Sequence, residues 1–382
     1  MGGVQERLAA IDAGRVQEIV RIALAAPGAT LGPWNATPLM GGASTVTGTR
    51  SISLLQGTAV AGRSERPWHV VLKGFAPIEE QADLTGSTYW KREWLLYGTG
   101  LLDTLPTDLG APRSYGRDEA ADGTVWLWQE YIQEEGPQRW PGARWALAAR
   151  HLGRLNGTPI MGGVSPDAPW LGGERLRSWV ERHRPLVEQI AAAPRNPAVR
   201  HWWPQPTVDA ILRLWGERGT FCDVLARLPQ SFGHGDAIRR NLLSRRGAAG
   251  AEETVAIDWE HAGFYAVGEE VGQTLSVAAA FFDLAPTDLP DLDAALFASY
   301  LTGLRDVGWQ GDERAVRFAY AAHAALRNAF NAVGATIPAA AGRASALRNY
   351  GHSWEDLAAR RAAIRPFLLE RAEEARGLLA LL

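Results

Sequence analysis

The 382-residue sequence is poor in the features that staple a chain or carry it into a membrane. Its single cysteine, Cys222, excludes an internal disulfide and favours a reducing compartment. No run of 18 or more apolar residues occurs, so no transmembrane helix is predicted. The amino terminus carries charges throughout and lacks the apolar segment of a signal peptide. We therefore expect a soluble, cytoplasmic protein that does not interact with membranes.

An excess of basic charge is missing as well. The formal net charge is −3 at pH 7, so the sequence predicts no general surface for nucleic acid. The hydrophobic fraction of 46% and the charged fraction of 21% are ordinary for a globular protein with a core of its own. The length favours two domains or two large lobes, and nothing in the sequence indicates an oligomeric state.

Lysine is nearly absent. Among 39 basic residues, only Lys73 and Lys91 are lysines. Lys73 lies in an apolar segment predicted to be a strand, where a charge is costly unless it is paired. A compact ammonium on a flexible stem suits phosphate oxygens better than a planar guanidinium does. Glu93, in a predicted helix, is the candidate partner; the alternative is a surface lysine on an edge strand.

The hydropathy pattern changes along the chain from strand-like to helical. A helix is predicted over residues 3–26, then strands over 36–41, 45–56, 68–75 and 124–132, with a glycine turn at 41–42, a longer connection at 57–67 and a helix over 84–102. Further helices are predicted near 142–156, 173–192, 207–228, 268–285, 289–307, 312–334 and 353–381. We therefore expect an α+β fold, with a β-rich amino-terminal lobe over residues 1–132 and a mainly helical lobe over residues 133–382.

Two short apolar segments, residues 241–246 and 253–258, interrupt the helical part and predict a hairpin. Asn241 begins its first strand and Asp258 ends its second, so antiparallel pairing would place their side chains side by side, with strands roughly 5 Å apart. A carboxylate and an amide oxygen suit Mg²⁺, which takes hard oxygen ligands. The pair is therefore a candidate metal site.

Asp236 precedes this hairpin in the segment His234–Gly235–Asp236. It would then be left to accept a proton from an attacking hydroxyl, as phosphoryl transfer requires alongside a metal that neutralises the phosphates. The alternative is structural, because Asp and Asn both brace turns through bonds to the backbone.

Together these residues resemble the aminoglycoside-phosphotransferase family, which shares its bilobal fold with protein kinases. The family's His-Gly-Asp segment with an Asn five residues later matches His234–Gly235–Asp236 and Asn241, and its metal-binding segment matches Ile257–Asp258–Trp259–Glu260. Its strand lysine and helix glutamate match Lys73 and Glu93. The resemblance implies an ATP- and Mg²⁺-dependent kinase in which Asp236 is the catalytic base, Asn241 and Asp258 hold the metal, and Lys73 and Glu93 serve the nucleotide.

The resemblance also implies contacts at less specific positions. Backbone amides between Gly42 and Ser44 would cover the phosphates, and backbone groups near Glu130 and Ile132 would pair with adenine. The acceptor would lie near Asp236, and its candidate contacts are Glu260, His261, Glu269 and Glu270. Carboxylates there suit an amine-bearing sugar or aminocyclitol, although each is alternatively a solvated or helix-capping charge.

Three features depart from the expected pattern, and one is the nucleotide loop at residues 40–45, which is short of the glycines seen in protein kinases. The family often has a basic residue or a histidine two positions after the catalytic Asp, where this chain has Ile238, so Arg239 or Arg240 would supply the charge. A later Asp usually braces the catalytic loop, and here Glu270 would have to serve. The departures bear on the acceptor more than on the reaction type.

Three functions remain open at this point. The first is transfer of the γ-phosphate of ATP to the hydroxyl of a small molecule, an aminoglycoside or aminosugar, or another small alcohol such as a choline-like compound. The second is a protein kinase, which the short interval after Asp258 disfavours because it leaves little room for a peptide-docking loop. The third is a pseudokinase that binds nucleotide without catalysis. The sequence has neither a GxxxxGK[ST] loop nor a GxSxG elbow, which excludes P-loop kinases and serine hydrolases of that type.

Overall fold

The structure is a computed structural model that describes residues 11–39, 50–159, 168–247 and 250–382. The chain divides into two compact units. The first comprises Met1–Glu135, Ile160–Leu171 and Leu243–His261, and the second comprises Gly136–Pro159, Gly172–Leu242 and Ala262–Leu382. The assignment of nucleotide binding to a lobe ending at residue 132, and of the acceptor to the rest, stays a prediction.

The first unit is built on an antiparallel sheet of five strands in the order β1-β2-β3-β6-β5. Helix α1 packs on this sheet, since its apolar side chains join the buried side chains of β2, β3 and β6 in one cluster. The short helix α2 follows β3 along the chain. The elements are α1 (Ala13–Ala23), β1 (Thr30–Pro38), β2 (Arg50–Ala61), β3 (Ser64–Phe75), α2 (Arg92–Leu96), β5 (Ser114–Glu119) and β6 (Val125–Glu130).

A second, smaller sheet of the first unit contains the predicted hairpin. Strands β8 (Leu242–Arg246) and β9 (Glu252–Ala256) are neighbours in it, and β4 (Leu109–Gly110) pairs parallel to β9. The hairpin predicted from the two apolar segments is therefore confirmed, although Asn241 lies just before its first strand and Asp258 two residues after its second.

The second unit is mainly helical, with strands β7 (Gln230–Gly233) and β10 (Gly263–Ala266) paired antiparallel. Its core consists of aromatic and aliphatic side chains on α4, α6, α9 and α11, with Trp203, Phe221 and Phe318 almost fully buried. The helices are α3 (Gly142–Gly157), α4 (Arg175–Glu181), α5 (Arg184–Ala192), α6 (Gln205–Arg227), α7 (Glu269–Ala280), α8 (Leu289–Asp306), α9 (Glu313–Asn328), α10 (Ala340–Tyr350) and α11 (Trp354–Leu379).

Several predicted elements were wrong in extent. The helix predicted over 84–102 is helical only at Arg92–Leu96 because Asp83 caps a turn through the Thr85 N–H, and the positive φ of Gly100 ends the segment. The connection predicted over 57–67 is instead mostly strand, and β2 and β3 meet at the tight turn of Gly62, whose φ is +67°.

Proline and local turns account for the remaining differences. The helix predicted over 173–192 is two helices, since Pro185 lies in the first turn of α5 and favours a new start there. Helix α9 ends at Asn328 rather than near 334, and α10 was not predicted. Residues 3–10 of the helix predicted over 3–26 lie outside the described residues, as does the whole segment 40–49 with the predicted turn at 41–42.

Candidate active site

Lys73 lies on β3, and its ammonium is buried in a pair of carboxylates. Its Nζ atom donates to both oxygens of Glu93, at 2.8 and 3.0 Å, and to Oδ1 of Asp258 at 3.2 Å. Burial alone would lower the pKa of Lys73, but the charges of Asp258 and Glu93 outweigh it and the pKa is raised. The ion pair with Glu93 is therefore present as predicted, and the alternative of a surface lysine is wrong because Lys73 is 6% exposed.

Asp258 is held in an unusual backbone conformation beside this lysine. Its φ is +65°, in the left-handed region that a non-glycine residue seldom adopts. Such strain persists only where the surroundings enforce it, and it is found mainly at functional sites. Two residues further along, the backbone carbonyl of Glu260 accepts a hydrogen bond at 3.0 Å from the guanidinium of the fully buried Arg92 on α2, which also donates to the carbonyl of Ser87.

Arg50, at the start of β2, is a second cation beside the charge cluster of Lys73, Glu93 and Asp258 in the first unit. It forms an ion pair with Glu260, and the charges of Asp258 and Glu93 also act on it, although burial lowers its pKa. Burial likewise raises the pKa of Glu93, against the effect of Lys73. Arg50 was not among the residues predicted from the sequence, although the strand predicted over 45–56 contains it.

Asp236 lies in the second unit, where three side chains hold its carboxylate. Oδ1 accepts hydrogen bonds from Arg175 at 2.9 Å and from Gln273 at 2.6 Å, and Oδ2 accepts one from Nδ2 of Asn241 at 3.0 Å. Asn241 also donates to the Asp236 carbonyl, so its amide nitrogen faces the loop and its amide oxygen is the atom left for a cation. The carboxylate is thus oriented from both sides.

Glu270 braces the loop that carries Asp236. Its carboxylate accepts from the backbone N–H of Gly235 at 3.0 Å and from Nδ2 of Asn156 at 3.0 Å. Gly235 itself has a φ of +72°, which suits glycine at this turn. Burial raises the pKa of Glu270 to about 7, against the hydrogen bonds that it accepts. The bracing that the sequence required of Glu270 is therefore found in the structure.

The cation beside Asp236 is Arg175, which was not predicted from the sequence. Arg175, at the start of α4, is bound to Asp236, to the Gly235 carbonyl and to Gln273. The predicted alternative, Arg239, instead donates to the backbone carbonyl of Gln138 and stacks on a tryptophan ring. That Arg239 or Arg240 supplies a further charge to the phosphate stays a prediction.

A scan against protein-family models matches residues 101–318 to the APH family, described as the phosphotransferase enzyme family. The chain belongs to this family. It is an enzyme, a phosphotransferase with an alcohol group as acceptor, as the sequence predicted. No curated protein sequence matches the chain significantly.

Two solved structures that share the fold of this chain are a choline kinase and an amicoumacin kinase. This phosphotransferase is 12% identical to a choline kinase from Cryptosporidium parvum, with a TM-score of 0.54 over 96% of this chain and 98% of that chain. It is 13% identical to an amicoumacin kinase in complex with AMP-PNP and Ca²⁺, with a TM-score of 0.53 over 96% of each chain. The predicted α+β, protein-kinase-like fold is therefore confirmed.

The structure describes two of the four residues predicted to contact the nucleotide outside the Lys73–Glu93 pair. Glu130 ends β6, and its carboxylate pairs with Arg113 and Arg245, so a nucleotide could use only its backbone groups. Ile132 follows in the connecting segment and is half-buried. Gly42 and Ser44 lie outside the described residues. The roles of all four in nucleotide binding stay predictions.

The predicted acceptor contacts are all engaged in internal interactions. Glu260 pairs with Arg50, and His261 lies against Glu260 at 3.4 Å. Glu269 is buried, accepts from the Ala266 N–H at 3.0 Å and lies 3.1 Å from Nδ1 of His323. Glu270 braces the Asp236 loop. Their contact with an acceptor stays a prediction, but these partners favour structural roles.

A magnesium site remains consistent with the donors present. Within the described part of the chain, no group of three or more His, Cys, Asp or Glu residues could hold a metal by itself. Mg²⁺ in nucleotide enzymes needs only one or two protein oxygens, since phosphates and water supply the rest. The strained Asp258 and the oriented amide of Asn241 each offer one oxygen, although they lie in different compact units and their pairing stays a prediction.

None of the helices in the described residues combines the length and hydropathy of a membrane span.

Proposed function

We propose that the protein transfers the γ-phosphoryl group of ATP, with Mg²⁺, to a hydroxyl of a small molecule. The observation that carries this proposal is the Asp236 carboxylate, fixed by Arg175, Gln273 and Asn241 in a loop that Glu270 braces. A carboxylate so held can align an acceptor hydroxyl and take its proton while the new bond to phosphorus forms and the bond to the β-phosphate oxygen breaks.

The other residues have supporting roles in this proposal. Lys73, held by Glu93, binds phosphate oxygens, and Asp258 and Asn241 each supply an oxygen ligand for the metal. Mg²⁺ would neutralise charge on the phosphates when it is bound. The need for ATP fits the cytoplasmic location predicted from the sequence.

The acceptor is a small alcohol. The sequence suggested an aminoglycoside or aminosugar, with a choline-like compound as the alternative, and the amicoumacin and choline kinases of the same fold fit that range. A pseudokinase is disfavoured, because Lys73, Glu93 and Asp258 form a complete charge cluster and Asp236 is oriented by three donors.

The substitution Asp236→Asn tests the proposal. It keeps the size of the side chain and removes the anionic acceptor, so kcat should fall by about 10²- to 10⁴-fold while ATP affinity changes little. ADP release over a panel of aminoglycosides, aminosugars, sugar acids, choline-like alcohols and nucleosides measures turnover, with water as the background acceptor, and calorimetry measures ATP binding.

Asp223→Asn is the matched control, since Asp223 also pairs with an arginine, Arg177 at 2.6 Å, but at an exposed position of α6. It should leave both measurements unchanged. Unaltered turnover in Asp236→Asn would show that Asp236 only braces its turn. Loss of ATP binding with the fold intact would show that it serves the nucleotide and is not the base.

A further inference from the structure

Two cations lie on one face of the five-stranded sheet in the first unit, Lys73 on β3 and Arg50 on β2. Ile52 is paired opposite Lys73, and Arg50 precedes Ile52 by two residues on the same strand. Residues two apart on a strand point to the same face, so Arg50 and Lys73 are diagonal neighbours, with backbones about 7–8 Å apart. An anion between two such side chains can contact both of them.

Each of these cations is held by a carboxylate of its own. Lys73 donates to Glu93 at 2.8 Å, and Arg50 forms an ion pair with Glu260. Asp258 lies beside both cations, since its Oδ1 is 3.2 Å from Nζ of Lys73 and its charge also acts on the guanidinium of Arg50. The pair of Arg50 and Glu260 therefore repeats the arrangement by which Glu93 orients Lys73.

Glu260 uses only part of the hydrogen-bonding capacity of Arg50. A guanidinium has five N–H donors and stays charged in proteins. The ion pair joins a terminal nitrogen to Glu260, whereas Nε is buried and has no hydrogen-bond partner among the described residues. Buried donors are nearly always bonded, so this one suggests a missing ligand or water. The Arg50 side chain is 11% exposed and that of Lys73 is 8% exposed, so solvent reaches both cations.

Arg92, a third cation near this cluster, shows the contrast. It is fully buried, and backbone carbonyls surround its guanidinium. The carbonyls that accept its hydrogen bonds belong to Gly86, Ser87, Trp170 and Glu260. An arginine bonded in this way holds the backbone in place, and only Arg50 and Lys73 of the three have donors at a surface that a ligand can reach.

The segment before Arg50 gives a reason for a second cation at this position. Residues 40–45 have fewer glycines than the nucleotide loop of protein kinases, so fewer backbone amides can come close to a phosphate. Arg50 follows this segment at the first position of β2. A guanidinium supplies paired N–H donors and a positive charge in place of such amides.

We propose that Arg50 is a second phosphate-binding residue of this phosphotransferase, and that its guanidinium contacts the γ-phosphate of ATP beside Lys73. The proposal rests on the proposed function and adds a residue to its nucleotide site. The β- and γ-phosphates share the metal in this chemistry, so the cation between Asp258 and Glu260 is assigned to the γ-phosphate. A fixed cation there stabilises the charge on the phosphoryl oxygens during transfer.

Calorimetry in the presence of Mg²⁺ tests this assignment by comparing AMP-PNP, which has a third phosphate, with ADP, which lacks it. Arg50→Gln should weaken AMP-PNP binding by about 10- to 100-fold, the range for hydrogen bonds to a charged group, and ADP binding by less than about threefold. In the ADP-release assay the same variant should lower kcat and raise the KM for ATP, because the contact is made to the group that is transferred.

Arg15→Gln is the matched control. It breaks another arginine–carboxylate pair of the first unit, with Asp118 at 2.8 Å, on helix α1. That helix packs against Leu72 and its neighbours, on the opposite face of the sheet from Lys73. Arg15→Gln should therefore leave the affinities for ADP and AMP-PNP unchanged.

Glu260→Gln separates phosphate binding from a purely structural ion pair, because it removes the partner and keeps the arginine. Its AMP-PNP affinity should equal or exceed that of the wild type, since the guanidinium is then freer to bind phosphate. Arg50→Lys keeps the charge but loses the paired donors, so it should recover part of the affinity lost in Arg50→Gln. If Arg50→Gln does not fold, Arg50→Lys carries the test and should lose AMP-PNP affinity by a smaller factor, with ADP affinity unchanged.

The outcomes distinguish this assignment from the proposed function. Equal losses of ADP and AMP-PNP affinity in Arg50→Gln and Glu260→Gln, or no loss in Arg50→Gln, would overturn the role of Arg50, while ADP release by the wild type would still support the proposed function. A preference for AMP-PNP that depends on Arg50, without ADP release on any acceptor, would overturn the proposed function and leave Arg50 as a phosphate ligand.

Discussion

At the residue scale, the site is built from arginines that orient acids rather than from acids alone. Arg175 holds Asp236, Arg92 holds the backbone of Glu260, and Arg50 pairs with the carboxylate of Glu260. A planar guanidinium can satisfy several acceptors at once in fixed directions. Lys73 is the exception, which indicates that its position needs a compact charge.

Lys73→Arg is expected to lower kcat and raise the KM for ATP, by about tenfold or more, because the larger planar head cannot hold Glu93 and reach phosphate from the same buried site. Steady-state kinetics measure both constants. Lys91→Arg makes the same exchange at the other lysine, whose Nζ lies 2.7 Å from a carboxylate oxygen of Glu119. Because Glu119 is nearly half exposed, this variant should leave both constants unchanged. Equal kinetics in the two variants would rule out a phosphate-binding role for Lys73.

The sequence could predict only some of these residues. The Lys73–Glu93 pair was accessible because a lone lysine in an apolar strand requires a partner. Arg175 was not, since it lies 61 residues before Asp236 and is one of 37 arginines, the 39 basic residues less two lysines.

At the element scale, helices α3 and α8 cross where two glycines let their backbones touch. A Cβ atom built on Gly153 would lie 2.2 Å from the Tyr300 carbonyl, and one built on Gly303 would lie 2.0 Å from the Arg150 carbonyl. Both neighbours are backbone atoms that cannot rotate away. From α3, Asn156 reaches Glu270, so this crossing also supports the loop of Asp236.

Gly303→Ala is therefore expected to destabilise the protein by roughly 1–3 kcal/mol, the range for overpacking a close contact. Gly216→Ala is the control, since Gly216 lies in α6 with open space around its Cβ position, and alanine there should stabilise by up to about 1 kcal/mol. Urea unfolding followed by circular dichroism gives both values. If both variants changed the free energy of unfolding in the same direction, the close crossing of the two helices would be contradicted.

Element types were more predictable than their limits. The hairpin of β8 and β9 followed from two apolar segments around a turn, and α3 and α8 agree with their predicted bounds within one residue. The helix predicted over 84–102 failed because apolar spacing does not register the competing turn bonds around Asp83. Strand β10 was missed, since its four residues contain too few positions to show alternation.

At the scale of the whole molecule, buried acids should make stability depend on pH. Burial raises the pKa of Glu270 to about 7 and that of Asp283 to about 6, both from ordinary values near 4. At a pH between the ordinary and the raised pKa of each group, the folded protein keeps a proton that the unfolded chain releases. These two groups therefore lower the free energy of unfolding as pH rises from about 4.5 towards 7, and their effect levels off above that.

Glu270→Gln should remove much of this pH dependence. For a pKa raised to about 7, Glu270 changes the free energy of unfolding by roughly 3 kcal/mol at most over this pH range. The amide cannot ionise, so the variant should gain stability relative to the wild type as pH rises from 5 to 8. Urea unfolding at several pH values measures this. The exposed Glu188→Gln should follow the wild type, and identical pH slopes in all three proteins would place the ionisation elsewhere.

The scarcity of lysine gives the intact molecule an unusual chemical signature. Only two side chains carry an ε-amino group, Lys91 near the surface and Lys73 inside the charge cluster. A lysine-specific endoprotease would cut the chain at two points, and an amine-acylating reagent would mark the same two side chains. Because the protease does not cut after an acylated lysine, the yield of the peptide that ends at Lys73 would report whether nucleotide shields that amine, without any acceptor present.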